Sequence, residues 1–530
     1  KFCEMEARIL AGQGITVITP RHYTDSVPIY MYSFLTYILG AAGATHYTSS
    51  HSANYLYGRK NLAPDGAQLL PDLYKKYIEI LDRIINKEIY GAEGGHKVVM
   101  EPADDGHILN VLTYEQMVKL FISILNTTKD DVKVINKAAE QGQKIVLNCL
   151  NGSTWKTLKP MLEQLGIDLK IFDLMNERED QFFTAGYQVI LDKKTGKYGV
   201  DHFGIDTTYD KVIPTIPYID ALKGYSAGTM VFECDPDSDR FVLKQVMEKN
   251  DTVTDLLDEF GVEYLDLGDN KILAMPSPNK VFLALDIIDA ENLKAAGKWD
   301  NYTSLYYITY VSTRAWAEFG DRMYPNLVRI MEMVGFKNLT GMQRVVEKWL
   351  FDTNDPELKF RDQLGREIVL RRDEGRDIRV HSKAEESGGR VAGTSRPCIN
   401  ILGQRVLAMP EKSAADATLS MLVLASKEYL ANSGMSGNYL IMNFLRDRFE
   451  TYGLKSKIDA RLDLVHGEQG KIALLPYEQQ RREMAIAGMK KEIFNNLFFS
   501  IGRAVRDGKM AKEQVIEVLK RLFPEYAQTW

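Results

Sequence analysis

The sequence predicts a multidomain α/β protein made of mixed-sheet α/β units, with a more helical C-terminal part. Short apolar, strand-length runs alternate with helical segments over most of the chain. At roughly 150 residues per domain, 530 residues correspond to three or four domains. Apolar residues make up 45% and charged residues 26%, a globular composition that excludes wholesale disorder.

Residues 1–12 read as a helix, and Ile15-Thr-Val-Ile18 as a short buried strand. Asp25 or Ser26 can cap a helix with Pro28 in its first turn, ending near Gly40 and Gly43. From Ser26 to Gly58 there is no Asp, Glu, Lys or Arg. Repeated Tyr, Thr and Ser with Pro28 break this stretch as a bilayer span, so it reads as a buried helix running into a strand and loop. Further helices are expected at 70–90 and 113–126. A second unit opens on the strand Lys144–Asn148, followed by Gly152, a helix to Leu165 and the strand Lys170–Asp173, a βαβ pattern. It closes on the strand Thr229–Glu233. A third unit contains the strand Ser304–Val311 and a charge-dense tract from Lys359 to Arg390. The last hundred residues read as helical with a break at Asp507-Gly508, and Val515, Ile516, Leu519, Leu522 and Phe523 form one apolar face suited to core packing. The domain boundaries expected are 1–130, 131–264, 265–435 and 436–530.

Lys plus Arg is 66 and Asp plus Glu is 72, a formal charge of −6. That balance gives no electrostatic reason to expect nucleic acid or a membrane surface as partner. Cys3, Cys149, Cys234 and Cys398 are widely spaced without a CxxC pair, which fits a reducing, cytoplasmic location.

Two polar loops stand out. Asp235-Pro-Asp237-Ser-Asp239-Arg240 places three alternating carboxylates directly after an apolar strand. Their repulsion calls for compensation, and a hard divalent cation with oxygen ligands supplies it. A solvated acidic turn with Asp capping is the alternative. A calcium EF-hand is excluded, because Arg240 stands at the sixth position and Val246 at the twelfth. The second loop is Thr48-Ser49-Ser50-His51-Ser52, with Lys60 ten residues beyond Ser50. A Ser-His neighbour pair alone is more often an ordinary polar loop than a nucleophile. Together the loops suggest phosphoryl transfer, where a serine carries the phosphoryl group, a cation neutralises its oxygens and Lys60 handles the proton.

With these loops in register, the chain resembles the α-D-phosphohexomutase family, the phosphoglucomutase and phosphomannomutase group. The family's T-A-S-H-N-P and N-G-x-K are matched by Thr48–Ala53 and Tyr57–Lys60, and its D-x-D-x-D-R by Asp235–Arg240. Its sugar loop G-E-E-S-G is matched by Ala384-Glu385-Glu386-Ser387-Gly388, and its substrate-discriminating segment by Val334-Gly335-Phe336-Lys337. The resemblance covers about residues 1–430 and implies α/β units arranged around a central active-site cleft. It implies Ser50 as phosphoserine, and Mg²⁺ held by Ser50, Asp235, Asp237 and Asp239. Lys60 becomes the acid/base, its pKa lowered by neighbouring cations and partial burial; Arg240 holds the serine phosphate and His51 orients it. Glu385, Ser387, Gly335 and Lys337 become substrate-binding residues. In an extended segment Glu385 and Ser387 share a face while Glu386 turns away.

The implied activity interconverts hexose 1- and 6-phosphates, glucose favoured over mannose, through a bisphosphorylated sugar that also serves as activator. The partner is a small sugar phosphate, and an oligomer is possible. The chain departs from the family at Ser52, Ala53 and Ala384, and it carries neither the R-x-S-G-T phosphate loop nor the N-terminal G-T-S/A-G-L-R-G segment. A sequence trimmed at both ends and a divergent member with another phosphate grip are the alternatives. Arg376 and Arg379, in a tract otherwise read as a solvated hairpin, are candidates for such a grip. Two other functional readings stay open: a catalytically impaired, mutase-like structural or regulatory protein, and a phosphopentose or hexosamine mutase on the same scaffold.

Overall fold

The apolar runs around 145, 172, 230 and 241 assemble into one six-stranded mixed sheet. Its order is Glu263–Gly268, Lys271–Met275, Phe241–Glu248, Met230–Cys234, Ile145–Asn148, Phe172–Met175. The last three strands are parallel and the others antiparallel. Ile145–Asn148 is buried at every position, as expected for a central strand covered on both faces. The expected βαβ unit is present, with the helix Thr154–Leu165 joining its two parallel strands. Its second strand starts two residues later than expected, because Asp168 caps a 3₁₀ turn over Leu169–Ile171.

A second, four-stranded sheet runs Leu327–Glu332, Tyr302–Thr309, Asp377–Ala384, Arg390–Ala392. Its first three strands are parallel and the last antiparallel. The helix Pro278–Ala295 packs against strands of both sheets. Its residues from Pro278 to Ile287 are all buried, including the polar Asn279, Lys280 and Asp286.

The computed structural model describes residues 2–23, 25–48, 58–85, 107–180, 188–191, 198–201, 216–309, 314–322, 327–332, 335–362, 365–372, 375–394, 396–432, 441–458, 497, 500–501, 503–505 and 507–522. The chain divides into two units, Lys1–Pro356 with Arg372–Asp459, and Glu357–Arg371 with Ala460–Trp530. Both large sheets belong to the first. The second contains the antiparallel hairpin Glu357–Arg361 with Glu367–Arg371, and the helix Lys512–Leu522. Beyond residue 435 the named elements among the described residues are helices, Ile441–Tyr452 and Lys512–Leu522.

The uncharged stretch forms the helix Ile29–Ile38, in which eight residues are buried. Pro28 stands at its N-cap and not in its first turn, while Asp25 accepts from the His22 amide. Two expectations of burial are corrected. Ile15 is 49% exposed and lies ahead of the strand, which starts at Val17; Ile18, 41% exposed, is in the strand Val17–Pro20, which among the described residues pairs only with Ile108–Leu112. Ile516 is also exposed, so the apolar stripe of the last helix is not wholly core. No helix among the described residues is long and apolar enough to cross a membrane, and all four cysteines are free thiols.

Candidate active site

The acidic loop leaves the sheet at Cys234 and turns back into Phe241–Glu248. Ser238 takes a left-handed conformation (φ 60°), and the amides of Asp239 and Arg240 both donate to Asp235 Oδ1 at 3.0 Å. Four other parts of the chain tie the loop down. The Ile29 amide donates to Asp237 O at 3.1 Å, Ser153 N to Pro236 O at 2.9 Å, and Ala414 N to Ser238 O at 3.0 Å. Phe241 N donates to Gly388 O at 2.9 Å. Three of these donors sit at the starts of helices, so partial positive charge faces the loop from three sides. Gly152 lies so close to the Pro236 backbone that any Cβ there would collide with it.

Asp235, Asp237 and Asp239 are buried, and ligand oxygens from all three lie within 4.8 Å of one another. Asp235 Oδ2 and Asp239 Oδ1 accept no hydrogen bond among the described residues, and Arg240 Nε faces them at 3.8 and 3.4 Å. Burial, then the charges of Asp239 and Asp237, push Asp235 well above the usual carboxylate range. Buried, orphaned carboxylate oxygens at this spacing fit a hard divalent cation such as Mg²⁺.

Lys60 comes from the hairpin Ala44–Tyr47 with Arg59–Leu62, where it pairs with His46. Its amine is 2.7 Å from Asp237 and 3.5 Å from Asp239. Burial alone would lower its pKa, but these carboxylates outweigh burial and raise it. The expected lowering by neighbouring cations is therefore corrected, since the nearest neighbours are anions. The lysine that does meet that description is Lys337. Protein packed around its amine lowers its pKa, with Lys60 and Lys412 adding to the effect against Glu411 and Glu385.

The sugar-loop motif follows the strand Asp377–Ala384 and closes with Glu385 N donating to Gly389 O at 2.9 Å. Glu385 accepts from the Phe336 amide at 2.9 Å, from Lys412 at 2.8 Å and from the Ser387 hydroxyl. Glu385 and Ser387 meet on one side because the chain turns over Glu386–Ser387, not because the segment is extended as expected, while Glu386 turns to Thr309 Oγ1 at 2.7 Å. Gly335 (φ 112°) opens the helix Phe336–Asp352, so the segment containing Lys337 meets the sugar loop through a helix N-terminus.

Lys412 is the residue that sequence reasoning missed. Buried, it bridges Glu385 at 2.8 Å and Asp239 at 3.4 Å, joining the acidic loop to the sugar loop. Its stem passes where a side chain on Gly389 would lie. The available signal is faint: a lysine just before Ser413, which caps the long helix Ala414–Ala431 by accepting from Asp416 N. Gln68 and Glu411 extend the cluster through a 2.7 Å hydrogen bond. Arg379 is turned elsewhere, over the Tyr302 ring and 3.7 Å from Asp289. Ser50 and His51 lie outside the described residues. Thr48, two positions before Ser50, donates to Asp237 Oδ2 at 3.2 Å.

No family model matches the sequence, and no curated protein matches it. Solved structures similar to it are sugar-phosphate mutases. They include a Thermus thermophilus protein assigned as a phosphomannomutase (TM-score 0.46, 15% identity, covering 84% of this chain and 72% of that one). A phosphoglucomutase/phosphomannomutase family protein of Burkholderia thailandensis follows (0.41, 13%, 77% and 64%). An N-acetylphosphoglucosamine mutase of Aspergillus fumigatus, solved with GlcNAc-6P and magnesium, gives 0.37 and 12%, with 83% of each chain covered. The chain therefore spans 64 to 83% of the length of these three proteins.

Proposed function

We propose that this chain is a Mg²⁺-dependent phosphohexomutase that interconverts hexose 1- and 6-phosphates, glucose preferred, through a phosphoserine at Ser50. The observation that carries the reading is the Lys412 bridge. It joins a buried, cation-ready carboxylate triad to a loop whose Glu385 and Ser387 face the same side.

Asp235, Asp237 and Asp239 hold the metal, which when bound neutralises charge on the phosphoryl oxygens. Thr48 draws the start of the serine loop to Asp237, and Arg240 pairs with the phosphoserine oxygens. Glu385 and Ser387 take two sugar hydroxyls, and Lys337 pairs with an oxygen of the phosphate already on the sugar. In the forward step the phosphoserine P–O bond to Ser50 breaks and a new P–O bond forms to the free sugar hydroxyl. The hydroxyl proton leaves to a base in the site, and Lys60 supplies a proton to the departing Ser50 oxygen. The bisphosphorylated sugar then turns over and returns its other phosphoryl group to Ser50.

Phosphorus NMR of the full chain with Mg²⁺, glucose 1-phosphate and a trace of glucose 1,6-bisphosphate tests this reading. Glucose 6-phosphate is the expected product, with Ser50→Ala inactive. Competition with mannose 1-phosphate and N-acetylglucosamine 1-phosphate ranks the sugars. An unchanged spectrum with all three sugars, or full turnover by Ser50→Ala, overturns it.

A further inference from the structure

Lys383 stands on the strand Asp377–Ala384, two residues before Glu385, and its side chain is fully buried. A buried ammonium is costly unless protein oxygens replace its hydration. Four do so here: Gln343 Oε1 at 2.8 Å, Thr340 Oγ1 at 2.9 Å, Pro410 O at 3.0 Å and Met409 O at 3.3 Å. The Phe336 ring centroid lies 4.6 Å away. None of these partners belongs to the acidic loop.

Each partner belongs to a segment whose neighbouring residues enter the site. Thr340 and Gln343 are on the helix opened by Gly335, Phe336 and Lys337. Met409 and Pro410 lead directly into Glu411 and Lys412. Lys383's own strand leads into Glu385, where the Phe336 amide and Lys412 both terminate. Thr340 reinforces the junction, with its hydroxyl at 3.1 Å from Phe336 O and 2.9 Å from Pro410 O. Gln343 also reaches Ala408 O at 2.8 Å. An apolar side chain would fill this volume more cheaply, but it would leave the Met409 carbonyl and the Gln343 amide oxygen without the amine and remove the link among the three segments. Hydrogen-bond distances are narrow, so one ammonium bonded to all three segments sets their spacing.

We propose that Lys383 is a positioning residue for sugar-phosphate binding: without touching the ligand, it sets the spacing between the segments that present Glu385, Lys337 and Lys412. The proposal rests on the reading of the chain as a sugar-phosphate mutase. It acts chiefly on ground-state affinity, because Lys383 bonds no residue of the acidic loop and reaches that loop only through Lys412.

Lys383→Met and Thr340→Val are compared with the wild-type chain for KM, kcat and Mg²⁺ titration midpoint. Lys383→Met is expected to raise KM for the sugar 1-phosphate about tenfold, with kcat reduced less than about threefold and the Mg²⁺ midpoint within about twofold. Thr340→Val, close in shape but without the hydroxyl that accepts from Lys383 and donates toward Phe336 O and Pro410 O, raises KM about threefold. If Lys383→Met does not fold, Thr340→Val decides alone. A merely structural lysine would lower the melting temperature and the active fraction while leaving KM unchanged. Unchanged KM in Thr340→Val, or a fall in kcat without a rise in KM, overturns the proposal while the mutase reading stands. A wild-type chain inactive on every sugar phosphate overturns both.

Discussion

Two clusters of buried charge in this molecule are built on opposite rules. In the acidic loop, three carboxylates are crowded together, and two of their buried oxygens accept no hydrogen bond among the described residues. Around Lys383, one amine has four oxygen partners and an aromatic face. The first cluster, though flanked by Lys60, Arg240 and Lys412, keeps oxygens that accept no hydrogen bond among the described residues, and the second is complete. Unsatisfied buried polar groups cost stability and persist where a ligand completes them, whereas a satisfied network rigidifies what surrounds it. The difference separates the place where chemistry is proposed from the framework that holds it.

The comparison breaks most easily at Asp235. Asp235→Asn keeps an oxygen for the Asp239 and Arg240 amides but removes one of the three repelling charges. Turnover with Mg²⁺ is expected to fall about a thousandfold. The melting temperature in a chelator should rise, and calorimetry showing a lower one would remove the repulsion argument. Lys412→Met is next. It leaves Asp239 and Glu385 facing each other without their shared cation. We expect kcat/KM to fall by several hundredfold and the chain to lose stability, read by steady-state kinetics and urea unfolding.

The completed cluster has its own signature in pH. Burial raises Glu347 from the ordinary 4.5 to about 7, although it accepts from Gln343 and the Leu407 amide, and although Lys383 stands near it. The folded chain therefore holds a proton there that the unfolded chain has lost, and stability falls as pH rises from about 4.5 to about 7. The slope corresponds to on the order of 3 kcal/mol, and Glu347→Gln should flatten it in chemical denaturation across that range. Lys383 acts in the opposite sense above this window. Burial lowers it to about 7, so its contribution raises stability as pH climbs toward the ordinary lysine value of 10.5. The smallest effect is expected at Gly152. An added Cβ must displace the Pro236 backbone, which should cost about 1–3 kcal/mol in urea unfolding and weaken Mg²⁺ affinity.

What was legible in the sequence was what is local. The alternating Asp235, Asp237 and Asp239, the side shared by Glu385 and Ser387, and the βαβ pattern all follow from spacing of a few residues. The helix Lys129–Glu140 was not among the expected elements, although its Thr128 and Asp131 capping box is a local signal. Lys412 and Lys383 were not legible, because their partners lie far along the chain. Lys412 meets Asp239, and Lys383 meets Thr340 and Met409, only once separate elements have packed. The pKa of Lys60 was misjudged for the same reason, since its sign depends on Asp237, 177 residues away. The exposed Ile18 shows the converse: a strand residue need not be buried when, among the described residues, its sheet has two members.

The anchoring of the acidic loop has a consequence for how the protein is made. Its backbone is held by residues 29, 153, 388 and 414, so the loop's geometry rests on long closures, three of the four spanning well over a hundred residues. Such long closures make for high contact order, and their entropic cost is met late in assembly. A nascent chain that stops short of residue 414 carries the whole acidic motif and no finished site. The proposed divalent-cation affinity is therefore expected only once residue 414 has closed on the loop, and a Mg²⁺ titration of chains truncated before and after that residue checks it.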